Sequence, residues 1–434
     1  MSEDATLDDF ADTDQVEDEG GIVEIEKPDE ERELFGLGKI PAEWDIHPLS
    51  ESTEIIPGNS PPSSTYNEDG EGLPFFQGNS EFGHFHPVAD TWCSDPRKEA
   101  KTNDVLMSIR APVGDLNIAD QHCCIGRGLA AFRPEDINGL YLFYHLAERR
   151  GWLSRLATGS TFKSVTKSDL QHLDLPVPPI KEQRRIATVL YAVDRAIEKT
   201  DEIIEQTKRV KSAVSQHYFE DYDTIRREEN PDSVDMVELS NLVNFKPGKA
   251  WKTDNLSEEG LKIVRISNLT GEKEAYWQYD GDYDEKRVIE DGDLLFSWAG
   301  MKSSIGVHIY HGEKALLNQH IYNLDPKTSM GREYLYYYLD YRMSDLYSLS
   351  QGGAVQIHLT KDIIERILVP KIDSKKQEAV VSHLSEIDDA LQNEINQKNR
   401  LKRLKQGLMQ DLLSGKVRTT DTNIEVPEHI MQHG

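Results

Sequence analysis

The length, composition and charge of the chain exclude several classes of protein. Its 434 residues suffice for two or three domains, each with its own hydrophobic core. No run of 18 apolar residues occurs and the N-terminus is acidic, so we expect neither a membrane span nor a signal peptide. The three cysteines (Cys93, Cys123 and Cys124) have neither disulfide nor metal-ligand spacing, which favours a reducing cytoplasm.

Acidic side chains exceed basic ones in the chain as a whole, and the excess is greatest at its start. The formal net charge is −28, and residues 1–35 contain fifteen acidic and two basic side chains. This segment has low hydrophobicity and no periodicity, which predicts a disordered acidic tail. An acidic body normally argues against a nucleic-acid partner. It is also typical of proteins from halophiles, and we prefer that interpretation.

The first predicted domain spans residues 36–178 and has mixed secondary structure. The segment DVLMSIR (104–110) predicts a strand, because a short apolar run is bounded by Asp and Pro. Residues 138–156 predict a helix. The domain is therefore expected to be α+β.

A long helix is predicted for residues 179–222, because neither Pro nor Gly occurs between Lys181 and about Tyr222. Its apolar residues alternate at spacings of four and three, which is a heptad seam that requires a partner helix. The seam consists of Ile186, Leu190, Val193, Ile197, Ile204 and Val214, with Thr200, Thr207 and Lys211 at its remaining positions.

The same order of elements follows a second time. A second α+β domain is predicted for residues 236–370, with strands at 261–266, 293–299 and 305–310 and a helix at 330–349.

A second long helix is predicted for residues 373–414, and residues 415–434 form a C-terminal tail. Its seam consists of Val380, Leu384, Ile387, Leu391, Leu401, Leu408 and Leu412, interrupted by Glu394, Lys398 and Lys405.

Pairs of identical residues show that the chain is an internal duplication. Thr166 and Thr360, Pro176 and Pro370, and Gln183 and Gln377 are each separated by 194 residues. We expect two similar α+β domains, related by a pseudo-two-fold, and separated by two long helices that form an antiparallel coiled coil. The alternative is that each helix packs only on its own domain.

Binding chemistry is present in the sequence, whereas catalytic motifs are absent. There is no Gly-rich phosphate loop, no HExxH and no Cys/His zinc spacing. Gly-rich loops carry polar and basic side chains that can donate to phosphates and base edges, although such glycines can also serve only to form turns. The candidate DNA-binding residues are Asn59, Ser60, Gln77, Arg110, Ser160, Thr161, Lys163 and Lys167 in the first domain, and Lys249, Trp251, Lys252, Arg265, Asn268, Lys302, Gln319, Gln356 and Lys361 in the second.

The sequence resembles the specificity (S) subunits of type I restriction–modification enzymes over residues 36–418. The resemblance rests on IPAEWDIHPLSE, DVLMSIRAPVGD, GRGLAAFRP and GSTFKSVTKSDLQHLDLPVPPIKEQRRIATVL in the first half. It continues with DLLFSWAG, LVPKIDSKKQEAVVSHLSEID and LKQGLMQDLLSGKVR in the second half. The ordered recurrence of these segments is more specific than any one of them.

The resemblance implies a non-catalytic subunit with two target-recognition domains (36–178 and 236–370) and two spacer helices (179–222 and 373–414). Each domain would read one half of a split site in double-stranded DNA. The chain would dock two methyltransferase (modification) subunits and the motor–nuclease restriction subunits, to which S-adenosylmethionine, ATP and Mg belong. Together with the acidic composition, the resemblance suggests that the protein comes from a halophilic archaeon. The alternatives are a coiled-coil scaffold without a DNA role, and half of a fused restriction enzyme.

Overall fold

The computed structural model describes residues 31–34, 38–158, 164–224, 234–252, 256–327, 330–348, 357–420 and 422–433. Within these ranges the chain forms two units, and each is described by itself. Unit 1 comprises Met1–Lys199 and Asn399–Gly434, and unit 2 comprises Thr200–Lys398. No helix in the described part of the chain is both long and apolar enough to cross a membrane.

Unit 1 begins with a domain of short strands and short helices. Its helices are α1 (Leu49–Ser52), α2 (Gly139–Glu148), α3 (Arg150–Thr158) and α4 (Lys167–Gln171). Its strands are β1 (Glu31–Leu34), β2 (Gly38–Pro41), β3 (Asp45–Pro48), β4 (Thr53–Pro57), β5 (Tyr66–Asn67), β6 (Leu73–Phe76), β7 (Trp92–Cys93), β8 (Glu99–Ala100), β9 (Val105–Ser108), β10 (Leu116–Ile118), β11 (Cys123–Ile125), β12 (Leu129–Pro134) and β13 (Asp174–Val177).

The long helix α5 (Ile180–Thr224) follows and contributes residues to both units. Unit 2 then contains the helices α6 (Leu239–Leu242), α7 (Ile266–Leu269), α8 (Arg332–Ser348) and α9 (Lys361–Glu365). Its strands are β14 (Met236–Glu238), β15 (Val243–Pro247), β16 (Leu261–Val264), β17 (Trp277–Tyr279), β18 (Val288–Ile289), β19 (Leu294–Ser297), β20 (Ala299–Gly300), β21 (Gly306–Ile309), β22 (Ala315–Leu317), β23 (Ile321–Pro326), β24 (Ile357–His358) and β25 (Leu368–Pro370).

The second long helix, α10 (Ser374–Leu413), also contributes to both units, and the short helix α11 (Glu428–Met431) lies in unit 1. At 1.5 Å per residue, the 45 residues of α5 and the 40 of α10 correspond to about 67 and 60 Å of helix.

The two units repeat one sheet topology. Unit 1 has a sheet in the order β10-β9-β12-β4, and unit 2 has the matching order β21-β19-β23-β15. A second sheet contains one parallel pair in each unit, β6 with β11 and β16 with β22. The two-stranded pairs β3–β13 and β14–β25 also correspond. The internal duplication of the sequence is therefore a duplication of fold.

The two long helices run antiparallel within each unit. In unit 1, Asp194 of α5 pairs with Lys405 of α10 at 2.7 Å. In unit 2, a later residue of α5, Lys211, pairs with an earlier residue of α10, Asp388, also at 2.7 Å. These pairs confirm the predicted antiparallel helices, and they show why Lys211 and Lys405 occupy positions in the two seams.

Each unit has one main core that includes parts of both long helices. In unit 1, Ile186 and Leu190 of α5 are buried with Leu412 and Leu413 of α10. In unit 2, Phe219 of α5 packs edge-on against Tyr338 of α8, with ring centroids 5.4 Å apart. Each core is thus completed by the end of the other long helix.

The predicted strands and domain helices correspond to β9, β16, β19 and β21 and to α2, α3 and α8, so these predictions are confirmed. The helix expected at 138–156 is divided into α2 and α3 at Arg149. This residue is the C-cap of α2, and its backbone dihedral angles leave the helical region. Residues 31–34, which the sequence analysis placed in the acidic tail, instead form β1, because their backbone pairs antiparallel with β2. The rest of the predicted tail, at 1–30 and residue 35, lies outside the described residues.

Candidate functional site

Three loops of unit 1 meet where the parallel strands β6 and β11 end. We call this meeting point, formed by residues 58–60, 76–78 and 125–129, the first platform. Four backbone hydrogen bonds fix it. They run from Gly126 N to Phe76 O (2.8 Å), from Gly128 N to Gln77 O (3.1 Å), from Asn59 N to Ile125 O (3.0 Å) and from Gly58 N to Leu129 O (2.9 Å).

Glycine is required in the first platform because its backbones approach so closely. A Cβ added to Gly126 would lie 2.8 Å from the Cα of Gln77, and one added to Gly58 would overlap the carbonyl of Gly126. Neither obstacle is the end of a flexible side chain, so the loops themselves would have to separate.

The first platform carries three exposed polar side chains: Asn59, Gln77 and Arg127. Ser60 is half-buried, and its hydroxyl oxygen accepts the backbone N–H of Arg127 at 3.1 Å. The loops are held by backbone bonds, so these side chains are not needed to hold them and can contact a ligand.

Unit 2 has a second platform at the equivalent place, where the parallel strands β16 and β22 end. It is formed by residues 247–251, 264–268 and 317–321. A Cβ added to Gly248 would lie 2.7 Å from the Leu317 carbonyl oxygen. Three bonds repeat those of the first platform, from Asn318 N to Val264 O (3.0 Å), from Lys249 N to Leu317 O (2.9 Å) and from Gly248 N to Ile321 O (3.0 Å).

Lys249 is exposed on the second platform and is supported by Trp251. Its ammonium lies 4.9 Å from the centre of the Trp251 ring. Trp251 itself is only 8 % exposed, and its indole N–H donates to the Leu317 carbonyl at 3.2 Å. The predicted contact of Trp251 with DNA therefore has little surface available, and the ring instead orients Lys249.

Arg265 and Asn268 bind each other rather than standing apart. The Asn268 side-chain oxygen accepts from Arg265 Nε at 3.2 Å, and the Arg265 guanidinium stacks 4.3 Å from the centre of the Trp277 ring. Partial burial lowers the pKa of Arg265 below its ordinary value, which still leaves it charged at neutral pH. The guanidinium is thus a fixed positive charge at the edge of the second platform.

Polar atoms without partners gather beside these charges in unit 2. Gln319 Oε1, His320 Nδ1 and Trp298 Nε1 are buried and have no hydrogen-bond partner among the described residues. Burial also lowers the pKa of His320, so its ring is neutral at neutral pH. Buried polar atoms normally find partners, and a group of three without them indicates a place that a ligand can complete.

A further loop adjoins each platform. In unit 1, the carbonyl of Gly128 accepts the N–H of Ile109 at 2.9 Å. The next residue, the exposed Arg110, forms an isolated antiparallel β-bridge with Ser164. In unit 2, His320 accepts the N–H of Trp298 at 3.1 Å. The predicted contacts Ser160, Thr161 and Lys163 in the first unit and Gln356 in the second lie outside the described residues.

The remaining predicted residues lie outside the two platforms or at their margins. Lys167 and Lys361 are exposed first residues of α4 and α9, and Lys361 already pairs with Glu365 at 3.1 Å. Lys302 lies 5.2 Å from the centre of the Tyr347 ring, and Lys252 is an exposed loop residue. The structure therefore brings together, at or beside the platforms, Asn59, Ser60, Gln77 and Arg110 in unit 1, and Lys249, Trp251, Arg265, Asn268 and Gln319 in unit 2.

Arg127 is a candidate that the sequence analysis missed. It lies two residues after β11, as Gln319 lies two residues after β22, and Gln319 was predicted. The matching positions were detectable, because Arg133-Pro134 and Asp325-Pro326 end the next strands at the same offset of 192 residues. The run Gly126-Arg127-Gly128 could instead be interpreted as an ordinary turn.

A family model for the type I restriction modification DNA specificity domain matches the chain twice, at residues 41–209 and 231–406. The two matches follow the internal duplication. Each contains one platform and most of one long helix.

Individual relatives carry similar descriptions. The chain is 42% identical over 180 residues to a Methanocaldococcus jannaschii protein assigned as the MjaX type I restriction enzyme specificity subunit, covering 40% of this chain and 42% of that one. It is 24% identical over 428 residues to the MjaVIII specificity subunit of the same organism, covering 93% and 99%. The chain thus spans less than half of the first relative and nearly all of the second.

The fold is also found among solved structures. The crystal structure of a type I restriction-modification S subunit from M. genitalium matches with a TM-score of 0.58 and 17% identity. The match covers 85% of this chain and 96% of that one. At this identity the similarity establishes the architecture alone.

Proposed function

The chain belongs to the type I restriction-modification DNA specificity family, and we propose that it selects the DNA site for such a complex. In this proposal unit 1 reads one half of a bipartite site in double-stranded DNA, and unit 2 reads the other. The observation that carries the proposal is the repetition of one platform, with the same backbone bonds and different exposed side chains. Such a pair suits a target with two different halves.

The platforms supply the types of contact that DNA recognition requires. Arg110 and Lys249 are exposed and can position phosphates, whereas the exposed amides of Asn59 and Gln77 can exchange hydrogen bonds with base edges. The close backbones fix the loops from which these side chains extend. Sequence selection would follow from geometry that is formed before DNA arrives.

The chain would act as a non-catalytic subunit that assembles with modification and restriction subunits. We propose two modification subunits per chain, in keeping with the two repeats. S-adenosylmethionine would bind to those subunits, and ATP and Mg would serve the motor–nuclease subunits. This chain would contribute only the choice of site, so the purified subunit should neither methylate nor cleave DNA.

The acidic composition supports a further part of the proposal, namely a host that is a halophilic archaeon and a cytoplasm rich in salt. The net charge of −28 suits a protein that stays soluble at high ionic strength. The support for this host is the composition alone.

The test is the pattern of adenine methylation in host DNA. Sequencing that detects methylated bases should find a split motif in the parent strain, and this motif should vanish when the gene for this chain is deleted. Restoring the gene should restore the motif. Methylation that survives the deletion unchanged would contradict the proposal.

A further inference from the structure

We propose that Arg127 reads a guanine in one half of the DNA site and that Gln319 reads an adenine in the other. The inference rests on the proposed function and adds to it one residue and one base for each half. Arg127 is in the first platform, and Gln319 is in the second.

The two residues occupy the same position in the repeated fold. Each is the second residue after the strand that runs parallel to its neighbour, β11 in unit 1 and β22 in unit 2. The residue before each one donates its backbone N–H to the end of that neighbouring strand. These bonds join Gly126 to Phe76 at 2.8 Å and Asn318 to Val264 at 3.0 Å.

The backbone beneath Arg127 is fixed on both sides. Gly126 and Gly128 are bonded to the 76–78 loop, and the N–H of Arg127 itself donates to Ser60 Oγ at 3.1 Å. A side chain that reads a base must be held close to its target geometry, and the anchored backbone fixes the point from which the Arg127 side chain extends.

The surroundings of Arg127 leave its guanidinium available. The side chain is exposed, and no ion pair joins it to any carboxylate in the part of the chain that the structure describes. The planar guanidinium can donate two parallel hydrogen bonds, which match the O6 and N7 acceptors of guanine.

Gln319 presents the chemistry that suits adenine. Its side-chain oxygen Oε1 is buried and has no hydrogen-bond partner among the described residues, whereas the residue as a whole is half-buried. Adenine offers an N6–H donor beside the N7 acceptor, and a glutamine amide can satisfy both at once. When the half-buried side chain turns outward, this unsatisfied acceptor would gain its donor from the base.

Reciprocal substitutions test the assignment. In the full complex with its modification subunits, Arg127→Gln should change one position in one half of the methylated motif from guanine to adenine. Gln319→Arg should change one position in the other half from adenine to guanine. Each substitution should alter the preference between the two bases by roughly 10- to 100-fold and leave the opposite half unchanged.

Two controls keep the result interpretable. Arg97→Gln, at an exposed arginine of unit 1 outside the platform, should leave the motif as it is. Gln319→Ala should relax the same position to any base, and it covers the case in which Gln319→Arg does not fold.

Three outcomes would overturn the inference while leaving the proposed function intact. The split motif could lack a guanine in the half that Arg127→Gln affects, both variants could act on the same half, or Arg127→Gln could weaken binding equally for all sequences. The last result would identify a phosphate contact. Absence of any split motif with the unaltered chain would instead contradict the proposed function itself.

Discussion

The two platforms share a backbone and differ in the side chains that they expose. Three backbone hydrogen bonds recur in both units with lengths that agree within 0.2 Å. The side chains at the matching positions carry different charge and different hydrogen-bonding groups. The matching pairs are Asn59 and Lys249, Gln77 and Arg265, and Arg127 and Gln319. The same backbone scaffold can therefore carry different exposed side chains.

The units also differ in how the start of the long helix is held. In unit 1, Glu182 of α5 is buried and accepts from Arg418 of the C-terminal tail at 2.8 and 2.9 Å. These hydrogen bonds raise the pKa of Arg418. The matching residue of α10 is Lys376, which is exposed. The C-terminal tail therefore stabilises unit 1 through contacts that this position of unit 2 does not have.

The largest loss of stability should follow from placing a bulky side chain where the backbones of a platform are in contact. Gly58→Val or Gly248→Val would force apart loops that are already in contact, so we expect a loss of at least about 3 kcal/mol in the free energy of unfolding. Gly78→Ala and Gly306→Ala, where an added Cβ meets nothing within 4 Å, are the matched controls. Urea denaturation of the full chain measures the effect, and tolerance of both Val variants would show that the platforms are loose.

Breaking the tail contact should affect unit 1 strongly. Glu182→Ala removes the buried carboxylate and leaves Arg418 without it, at a cost of about 3 kcal/mol. Lys376→Ala, the matched change in unit 2, should cost less than about 0.5 kcal/mol because the side chain is exposed. If both variants lowered the free energy of unfolding equally in urea denaturation, the tail contact would not distinguish the two units.

A third pair of substitutions should act alike in both units. The side-chain oxygen of Gln183 accepts the N–H of Asn138 at 2.8 Å, and that of Gln377 accepts the N–H of Gly331 at 2.9 Å. Both glutamines are buried. Each change to Ala leaves a backbone N–H without its partner, buried at Asn138 and half-buried at Gly331, and should cost about 2 kcal/mol. A difference above about 1.5 kcal/mol between the two thermal or urea transitions would contradict the equivalence.

The smallest effect expected is that of salt on DNA binding by the assembled complex. At molar salt the Debye length is about 3 Å, so distant attraction is screened and the exposed cations of the platforms act only at contact. Between 1 and 3 M salt the affinity should change only a few-fold, as measured by fluorescence anisotropy with a cognate duplex. A log–log slope near about −8 would instead show that phosphate contacts dominate.

Local patterns predicted much of the fold. The heptad seams gave both long helices, because their periodicity depends only on neighbouring residues. The internal duplication of the sequence identified the loops that carry Asn59, Gln77 and Lys249 on the platforms. The bond between Glu182 and Arg418 could not be predicted in this way, since it joins residues 236 positions apart.

Side-chain burial limited the prediction of the site. Trp251 lies between basic residues in the sequence and was therefore predicted to contact DNA at the surface. In the structure Tyr279 and the Leu317 carbonyl enclose its ring, and these neighbours come together only in the folded sheet. Arg127 was overlooked for the opposite reason, because its exposure depends on the parallel strands that end beside it.

The most direct test of the account is to replace one reading unit and leave the other. Residues 36–178 would be exchanged for the equivalent segment of another specificity subunit, and the methylated motif of the resulting complex would be sequenced. If each unit reads its own half-site, one half of the split motif changes to that of the donor while the other half is retained. A motif that changes in both halves, or in neither, would contradict the claim that each platform reads its own half-site.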